Sequence, residues 1–216
     1  MVAGNLALSA SEVRVLGALL EKQRTTPDVY PLSLNALRLA CNQSTNRDPV
    51  VDYDDEVIRD ALHRLERRGF TRLASGAGSR AAKYRHLLAE ALPMDAAEQS
   101  IMCVLMLRGP QTPGELKQRC ERMHVFAGLA DVQDGLRRLI ERELVGAQGR
   151  RPGQKEERYA QLLGAGDPEE PAQAIAPPAP ALARPAADGL AERIARLERE
   201  VLELQLAMRN AFGEGP

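Results

Sequence analysis

The chain has 216 residues, enough for one large domain or for two small domains and a tail. Its 29 basic and 30 acidic side chains give a net charge of -1, which excludes a uniformly basic protein that coats nucleic acid without selection. Only 3% of the residues are aromatic, and this excludes a single-strand binding surface built from stacked rings.

The N-terminal segment predicts a helix and not a signal sequence or membrane span, because the apolar run at residues 13–20 is short and contains Arg14. Cys41, Cys103 and Cys120 lie far apart and form no CxxC motif, so we expect neither disulfides nor a metal site. We therefore expect a cytoplasmic protein that binds no cofactor and no membrane, with its cysteines buried as small apolar side chains.

Three helices followed by a hairpin are predicted twice before residue 164. The first helices open at Ala10-Ser11-Glu12 and at Ala96-Ala97-Glu98, and the short second helices begin at Pro31 and after Thr112. The third helices carry apolar residues three and four positions apart, which is typical of a helix with one buried face. These residues are Ile58, Ala61, Leu62 and Leu65 in the first copy and Val132, Gly135, Leu136 and Leu139 in the second.

Each third helix is followed by two β-compatible segments around a Gly-rich turn, at residues 70–73 and 83–88 and at residues 144–147 and 158–163. This order predicts a mainly α chain with small β-hairpin wings, of the α+β class, in the form of two tandem winged-helix domains. The domains would span residues 1–92 and 93–163. Two generic α+β units are the alternative.

The third helix of a winged helix usually reads bases in the major groove of DNA. Here the first copy begins with Asp54-Asp55-Glu56, and the second carries Asp131 and Asp134 near its start. Carboxylates at these positions would repel phosphates, which weakens the case for orthodox groove insertion. They are also explained by helix capping and by the helix dipole, without any role in function.

The basic residues concentrate on the later part of the third helices and on the hairpins, where they could follow phosphates or enter a minor groove. The alternative is that they pair with glutamates on solvated helix faces. The candidates for nucleic-acid contact are Arg59, Arg80, Lys83, Arg150, Arg151 and Lys155.

A polar loop at residues 42–49 takes the place of the tight turn of a usual helix-turn-helix. Its side chains could contact phosphates, or could cap the loop's own backbone. The candidates here are Gln43, Ser44, Thr45, Asn46 and Arg47.

Residues 164–189 are rich in proline and alanine, which predicts a disordered linker. Residues 190–212 carry a heptad repeat with Ile194, Val201 and Met208 at position a and mostly leucine at position d. β-branched residues at a with leucine at d favour a parallel dimer. A single amphipathic helix is the alternative. The predicted dimerisation residues are Leu190, Ile194, Leu197, Val201, Leu204 and Met208.

Two long stretches, EKQRTTPDVYPLSLNALRLACNQSTNRDPV at residues 21–50 and RGPQTPGELKQR at residues 108–119, closely resemble the bacterial YceH-type family. The order of segments, including the Pro-rich linker and the C-terminal helix, is also similar, so the resemblance covers essentially the whole chain. It implies a tandem winged-helix protein of uncharacterised function. It supplies no catalytic residues.

Motifs for a nucleophile and its base, a phosphate loop or a metal site are missing from the sequence, so we expect a protein that is not an enzyme. Two functions follow as hypotheses: a dimeric regulator that binds double-stranded DNA, and an interaction module whose winged helices bind a protein partner. Residues 1–92 carry a net charge of +2, residues 93–166 of +1 and residues 167–216 of -4. The near-neutral net charge of the chain is therefore the sum of two weakly basic units and an acidic tail.

Overall fold

The computed structural model describes residues 6–74, 82–148 and 156–164. These residues form helices and small antiparallel sheets, as expected for the α+β class. The predicted coiled-coil helix at residues 190–212, nearly all of the predicted linker and the turns of both hairpins lie outside the described residues.

The first half contains three main helices and a three-stranded antiparallel sheet with the strand order β1-β3-β2. In this sheet Leu32 lies opposite Tyr84, and Thr71 lies opposite His86. The elements are α1 (Ala10–Thr25), β1 (Leu32–Ser33), α2 (Leu34–Cys41), α3 (Asp55–Arg67), β2 (Thr71–Leu73) and β3 (Lys83–His86), with a 3-10 turn at Pro27–Val29.

Two boundaries in the first half differ from the sequence prediction. The second helix begins at Leu34 and not at Pro31, because the backbone stays extended through Ser33, whose hydroxyl accepts the N–H of Ala36 as an N-cap. The residues before this cap pair with β3 and form the strand β1, which the sequence did not predict. The returning strand ends at His86, because Leu88 begins a short helix, α4 (Leu88–Ala91).

The second half repeats the order of the first. Its elements are α5 (Ala96–Arg108), α6 (Pro113–Cys120), α7 (Leu129–Glu141), β4 (Val145–Gln148) and β5 (Arg158–Gln161). Gln111 and Tyr159 exchange two backbone hydrogen bonds just before α6, in the place that β1 takes in the first half. Capping boxes begin α1 and α5, in which Glu12 returns to Ser9 and Glu98 returns to Asp95. The repeat predicted from the sequence is therefore present at the level of helices, hairpins and caps.

The two halves pack on each other through α1 and α5 within one compact unit. The helices approach closely at Gly17, where an added Cβ would lie 3.0 Å from Leu107 Cδ2 and 3.1 Å from Met106 Cβ. The thiol of Cys103 donates to the carbonyl of Gly17 at 3.5 Å across the same contact. All three cysteines are buried and free, as predicted. One hydrophobic core therefore extends across both halves.

Within residues 6–74, 82–148 and 156–164, no helix combines the length and the apolar character that crossing a membrane requires. The same residues bring together no cluster of histidine, cysteine and carboxylate side chains suited to a metal ion.

Candidate nucleic-acid interface

The first hairpin has an exposed basic face. Arg72 on β2 lies directly opposite Arg85 on β3, and Lys83 lies two residues from Arg85 on the same face. The side chains of Arg72 and Lys83 are exposed, while Arg85 is half-buried and pairs with Glu90 at 3.3 Å. Like charges directly opposite each other destabilise a sheet unless an anion compensates them. This face is therefore a candidate binding surface for phosphates.

On the opposite face of the hairpin, His86 is buried in its neutral form. The imidazole Nδ1 accepts the N–H of Leu88 at 3.2 Å, so Nε2 carries the proton and donates to Gln23 Oε1 at 2.7 Å. The backbone N–H of His86 donates to Tyr30 Oη at 2.8 Å. Burial, together with the positive charges of Arg24 and Arg85, lowers the pKa of His86 to about 4.

This neutral histidine predicts a loss of stability in mild acid. The unfolded chain takes up a proton near the ordinary histidine pKa of about 6.5, whereas the folded chain does so only near 4. The contribution of His86 is therefore complete above the unfolded pKa and decreases as the pH falls toward 4. We expect the free energy of unfolding to decrease by about 2 kcal/mol between pH 7 and pH 5 from this group alone.

Urea unfolding at both pH values measures this loss, with His86→Gln as the matched variant. Glutamine does not titrate, so the variant should lose about 2 kcal/mol less than the wild type over the same range. Equal losses in the two proteins would contradict the buried neutral state of His86.

The outer face of α3 is nearly neutral. Its exposed charged residues include Glu56, Arg59, Asp60 and Arg67. Arg59 is held by Asp55 at 3.6 Å, and Asp55 also binds Arg38 at 3.0 Å. Asp54 caps the helix by accepting the N–H groups of Glu56 and Val57. The acidic start of α3 therefore has a structural explanation, and α3 does not present a basic surface to a groove.

In each half, arginines at the C-terminal end of the third helix bind a carboxylate in the first turn of the first helix. Arg68 lies 3.8 Å from the buried carboxylate of Glu12, and Arg142 lies 3.5 Å from the buried carboxylate of Glu98. Arg138 binds Glu98 and Asp95, each at 2.9 Å. These pairs join residues distant in sequence, whereas the sequence suggested pairing with neighbouring glutamates. Arg138 of α7 and Arg142, the residue after α7, are therefore committed to the fold.

The loop at residues 42–49 divides into an exposed part and a buried anchor. Ser44, Thr45 and Asn46 are exposed, as a phosphate-binding loop would require. Arg47, which the sequence also placed among the phosphate contacts, is buried, and its side chain is 0% exposed. Its guanidinium binds Glu21 Oε2 at 2.7 Å and the carbonyl of Ala40 at 2.7 Å. Arg47 thus fixes the loop to the protein interior, and its buried guanidinium is not accessible to DNA.

Gln43 contributes to the same anchor, because its Oε1 accepts from Arg47 at 2.8 Å. On the other side of the loop, Asn46 accepts from Arg108 at the end of α5, and the N–H of Asp48 donates to the carbonyl of Leu107 at 2.9 Å. The loop therefore lies where the two halves meet, on contacts with α1, α2 and α5. The structure does not group it with the basic face of the first hairpin.

In the described strands of the second hairpin, the arginine is bound to another part of the protein. Arg158 donates to Glu115 Oε2 at 2.8 Å and to the carbonyl of Pro110 at 2.9 Å, so it joins the hairpin to α6. Of the other predicted contact residues, Lys83 lies on the basic face of the first hairpin and Arg59 on α3. The remaining predicted residues lie outside the described residues: Arg80, Arg150, Arg151 and Lys155, and all six dimerisation residues.

Sequence reasoning missed the pairing of Arg72 with Arg85. Both were visible as basic residues near the hairpin, but neither was a candidate contact. The alternation of side chains along a strand already places Lys83 and Arg85 on one face. Only the register between the strands adds Arg72 to it.

Residues 8–154 match the profile of a family described as "Protein of unknown function, DUF480". The chain belongs to the DUF480 family. A "UPF0502 protein" of Geobacter metallireducens is 50% identical over 197 residues, which cover 90% of this chain and 88% of the relative. A "UPF0502 protein" of Solibacter usitatus is 49% identical over 93% of this chain and 94% of its own. The family resemblance predicted from the sequence is confirmed.

The DUF480 match begins at Leu8, just before the cap of α1, and ends at residue 154, between β4 and β5 in the sequence. It therefore spans both halves of the repeat. A more distant relative, the "UPF0502 protein Shewmr4_1554" of a Shewanella species, is 40% identical over 93% of this chain and 95% of its own. The similarity to this relative therefore extends beyond the residues that the family profile matches.

Proposed function

We propose that this DUF480 protein is a non-enzymatic, cytoplasmic tandem winged-helix protein that binds double-stranded DNA. The order of three helices and a hairpin, twice in succession, supports the winged-helix interpretation. In each half the backbone segment just before the second helix also pairs with the hairpin. The basic face of the first hairpin, defined by Arg72, Lys83 and Arg85, lies on the phosphate backbone.

One observation carries this proposal: two arginines face each other across the first hairpin, with a lysine on the same face. The side chain of Arg72 makes no hydrogen bond or ion pair with another described residue, and Arg85 pairs with Glu90. Such an arrangement costs stability in the free protein. DNA phosphates reverse this cost, because they place negative charge against all three cations.

The neutral outer face of α3 limits the kind of binding that we propose. Contacts to phosphates position a protein on DNA but carry no direct sequence information. Since α3 offers a balanced set of charges and a capped acidic start, we infer that affinity comes mainly from the hairpin. Binding should therefore differ little between duplexes of unrelated sequence.

The double variant Arg72→Gln/Arg85→Gln tests the hairpin directly. Each lost phosphate contact weakens binding by about 0.7 kcal/mol, so the two together should raise Kd roughly tenfold. Fluorescence anisotropy with a labelled 25-base-pair duplex at about 50 mM salt measures this change.

Arg137→Gln is the matched control, because Arg137 is an exposed arginine on α7 and pairs with Asp134 on the same helix. Its Kd should stay within about twofold of the wild type. An unchanged Kd in the double variant, or an equal loss in the control, would overturn the assignment of the hairpin.

A second candidate function is protein binding by the second half. Val125, on the segment that joins α6 to α7, is 72% exposed, and Leu129, the first residue of α7, is 46% exposed. Val125 also lines a groove, together with Lys117, Gln118, Glu121 and Phe126. Exposed apolar side chains next to a groove are typical of a docking surface. Failure of the wild type to bind any duplex at low salt would favour this candidate.

The proposal includes a homodimer formed through residues 190–212, on the heptad pattern of the sequence. A dimer would carry two basic hairpins. If both engage one duplex, the second contact becomes intramolecular and the overall affinity rises without new residues.

A further inference from the structure

A cavity of about 60 Å³ lies beside the loop at residues 42–49, where the first half meets α5 and α6. Roughly 10–15 Å³ of such volume admits one water molecule, so the cavity has room for several waters or one small oxyanion. Its polar lining comes from three arginines, Arg108, Arg119 and Arg122, together with Asn46, Glu21 and Thr25.

The three arginines of the cavity are poorly compensated. Arg108 donates to the amide oxygen of Asn46, which carries no charge. Arg119 lies 3.7 Å from Glu115, but that carboxylate is already bound by Arg158 at 2.8 Å. The side chain of Arg122 forms neither a hydrogen bond nor an ion pair with any residue in 6–74, 82–148 or 156–164.

Glu21 is the acid in the lining, and it does not neutralise these arginines. Its carboxylate is bound by both terminal nitrogens of Arg47, at 2.7 Å and 3.2 Å. The cavity therefore holds an excess of positive charge. Burial, followed by the positive charges of Arg119 and Arg47, lowers the pKa of Arg108, and the opposing effect of the Glu21 carboxylate is smaller.

We propose that this cavity binds a small phosphate-type dianion, either free or as the terminal group of a phosphomonoester. Arginine forks match the oxygens of such a group better than a single ammonium does. The apolar walls of the cavity, formed by Val104, Leu107 and Met123, exclude water from one side and so strengthen the interaction.

The bound anion would connect the two halves. Arg119 and Arg122 belong to the α6 region of the second half, whereas Asn46 belongs to the loop between α2 and α3. The loop already contacts α5 through the N–H of Asp48 and the carbonyl of Leu107. A ligand on Arg108, Arg122 and the loop adds a contact between the halves that the free protein lacks.

Isothermal titration of the full chain with inorganic phosphate, and separately with glycerol phosphate, tests the site at constant ionic strength. Both probes carry the phosphate group that the cavity recognises. The probe with the lower Kd shows whether the ligand is the free anion or a phosphomonoester. Sodium acetate, a monoanion, is the comparison and should bind at least tenfold more weakly.

Arg122→Gln is the decisive variant, because Arg122 is exposed and unpaired among the described residues and its loss should not unfold the chain. We expect it to raise Kd at least tenfold. Lys117→Gln, an exposed cation on α6 outside the cavity, should leave Kd within twofold. No saturable binding of either probe, or an Arg122→Gln protein with wild-type Kd, would overturn the proposal.

The site is independent of DNA binding by the first hairpin. The Arg72→Gln/Arg85→Gln protein should bind the small probe with wild-type Kd. An equal loss in that variant would assign the phosphate to the hairpin and overturn the cavity site.

Discussion

Replacing Arg47 by methionine should lower the free energy of unfolding by about 3–5 kcal/mol, the largest effect that we expect from one substitution. The side chain of Arg47 is 0% exposed, and that of Glu21 is 15% exposed. The guanidinium binds the carboxylate through two nitrogens and also binds the carbonyl of Ala40. Methionine has a similar volume but leaves Glu21 and this carbonyl without their donor.

Urea unfolding of Arg47→Met, Glu21→Met and the double variant measures this effect. The double variant should be more stable than the sum of the two single losses predicts, by at least about 1 kcal/mol, because it leaves no buried charge unpaired. Arg59→Met is the control on an exposed arginine, with an expected loss below about 1 kcal/mol. A loss below 1 kcal/mol in Arg47→Met would contradict the buried anchor of the loop.

Replacing Gly17 by leucine should lower the free energy of unfolding by about 3 kcal/mol. Even a Cβ at this position would lie 3.0 Å from Leu107 Cδ2 and 3.1 Å from Met106 Cβ. A leucine therefore forces α1 away from α5, and overpacking of this kind costs about 1–3 kcal/mol or more. The contact between these helices joins the two halves, so the substitution weakens the core of both.

The matched control is Gly114→Leu, since Gly114 is also a helical glycine but is exposed, with only Thr112 Oγ1 within 4 Å, at 3.9 Å. Its stability should stay within about 1 kcal/mol of the wild type. Thermal unfolding followed by circular dichroism compares the two variants. Equal stability of Gly17→Leu and the wild type would mean that α1 and α5 do not pack as described.

The repeated helices and hairpins could be predicted from the sequence because their signals are local. The apolar residues Ile58, Ala61, Leu62 and Leu65 are all buried, as the spacing of three and four indicates. Asp54 caps α3 as its type and position suggest. Strand β1 escaped prediction because two residues are too few to show an alternating pattern.

The candidate contact surfaces could not be predicted in the same way, because they depend on residues distant in sequence. Arg47 resembles any loop arginine, and its partner Glu21 lies 26 positions earlier. The basic face of the first hairpin depends on the register of Arg72 against Arg85. Likewise, the cavity arginines come together only when α5 and α6 pack beside the loop.

The salt dependence of duplex binding tests the central claim, that the first hairpin holds DNA by its phosphates, most directly. Each phosphate contact contributes about 0.9 to the slope of log K against log salt concentration. The slope of Arg72→Gln/Arg85→Gln should therefore be less steep than that of the wild type by about 2. Identical slopes in the two proteins, or a wild type that does not bind duplex DNA at about 50 mM salt, would contradict the claim.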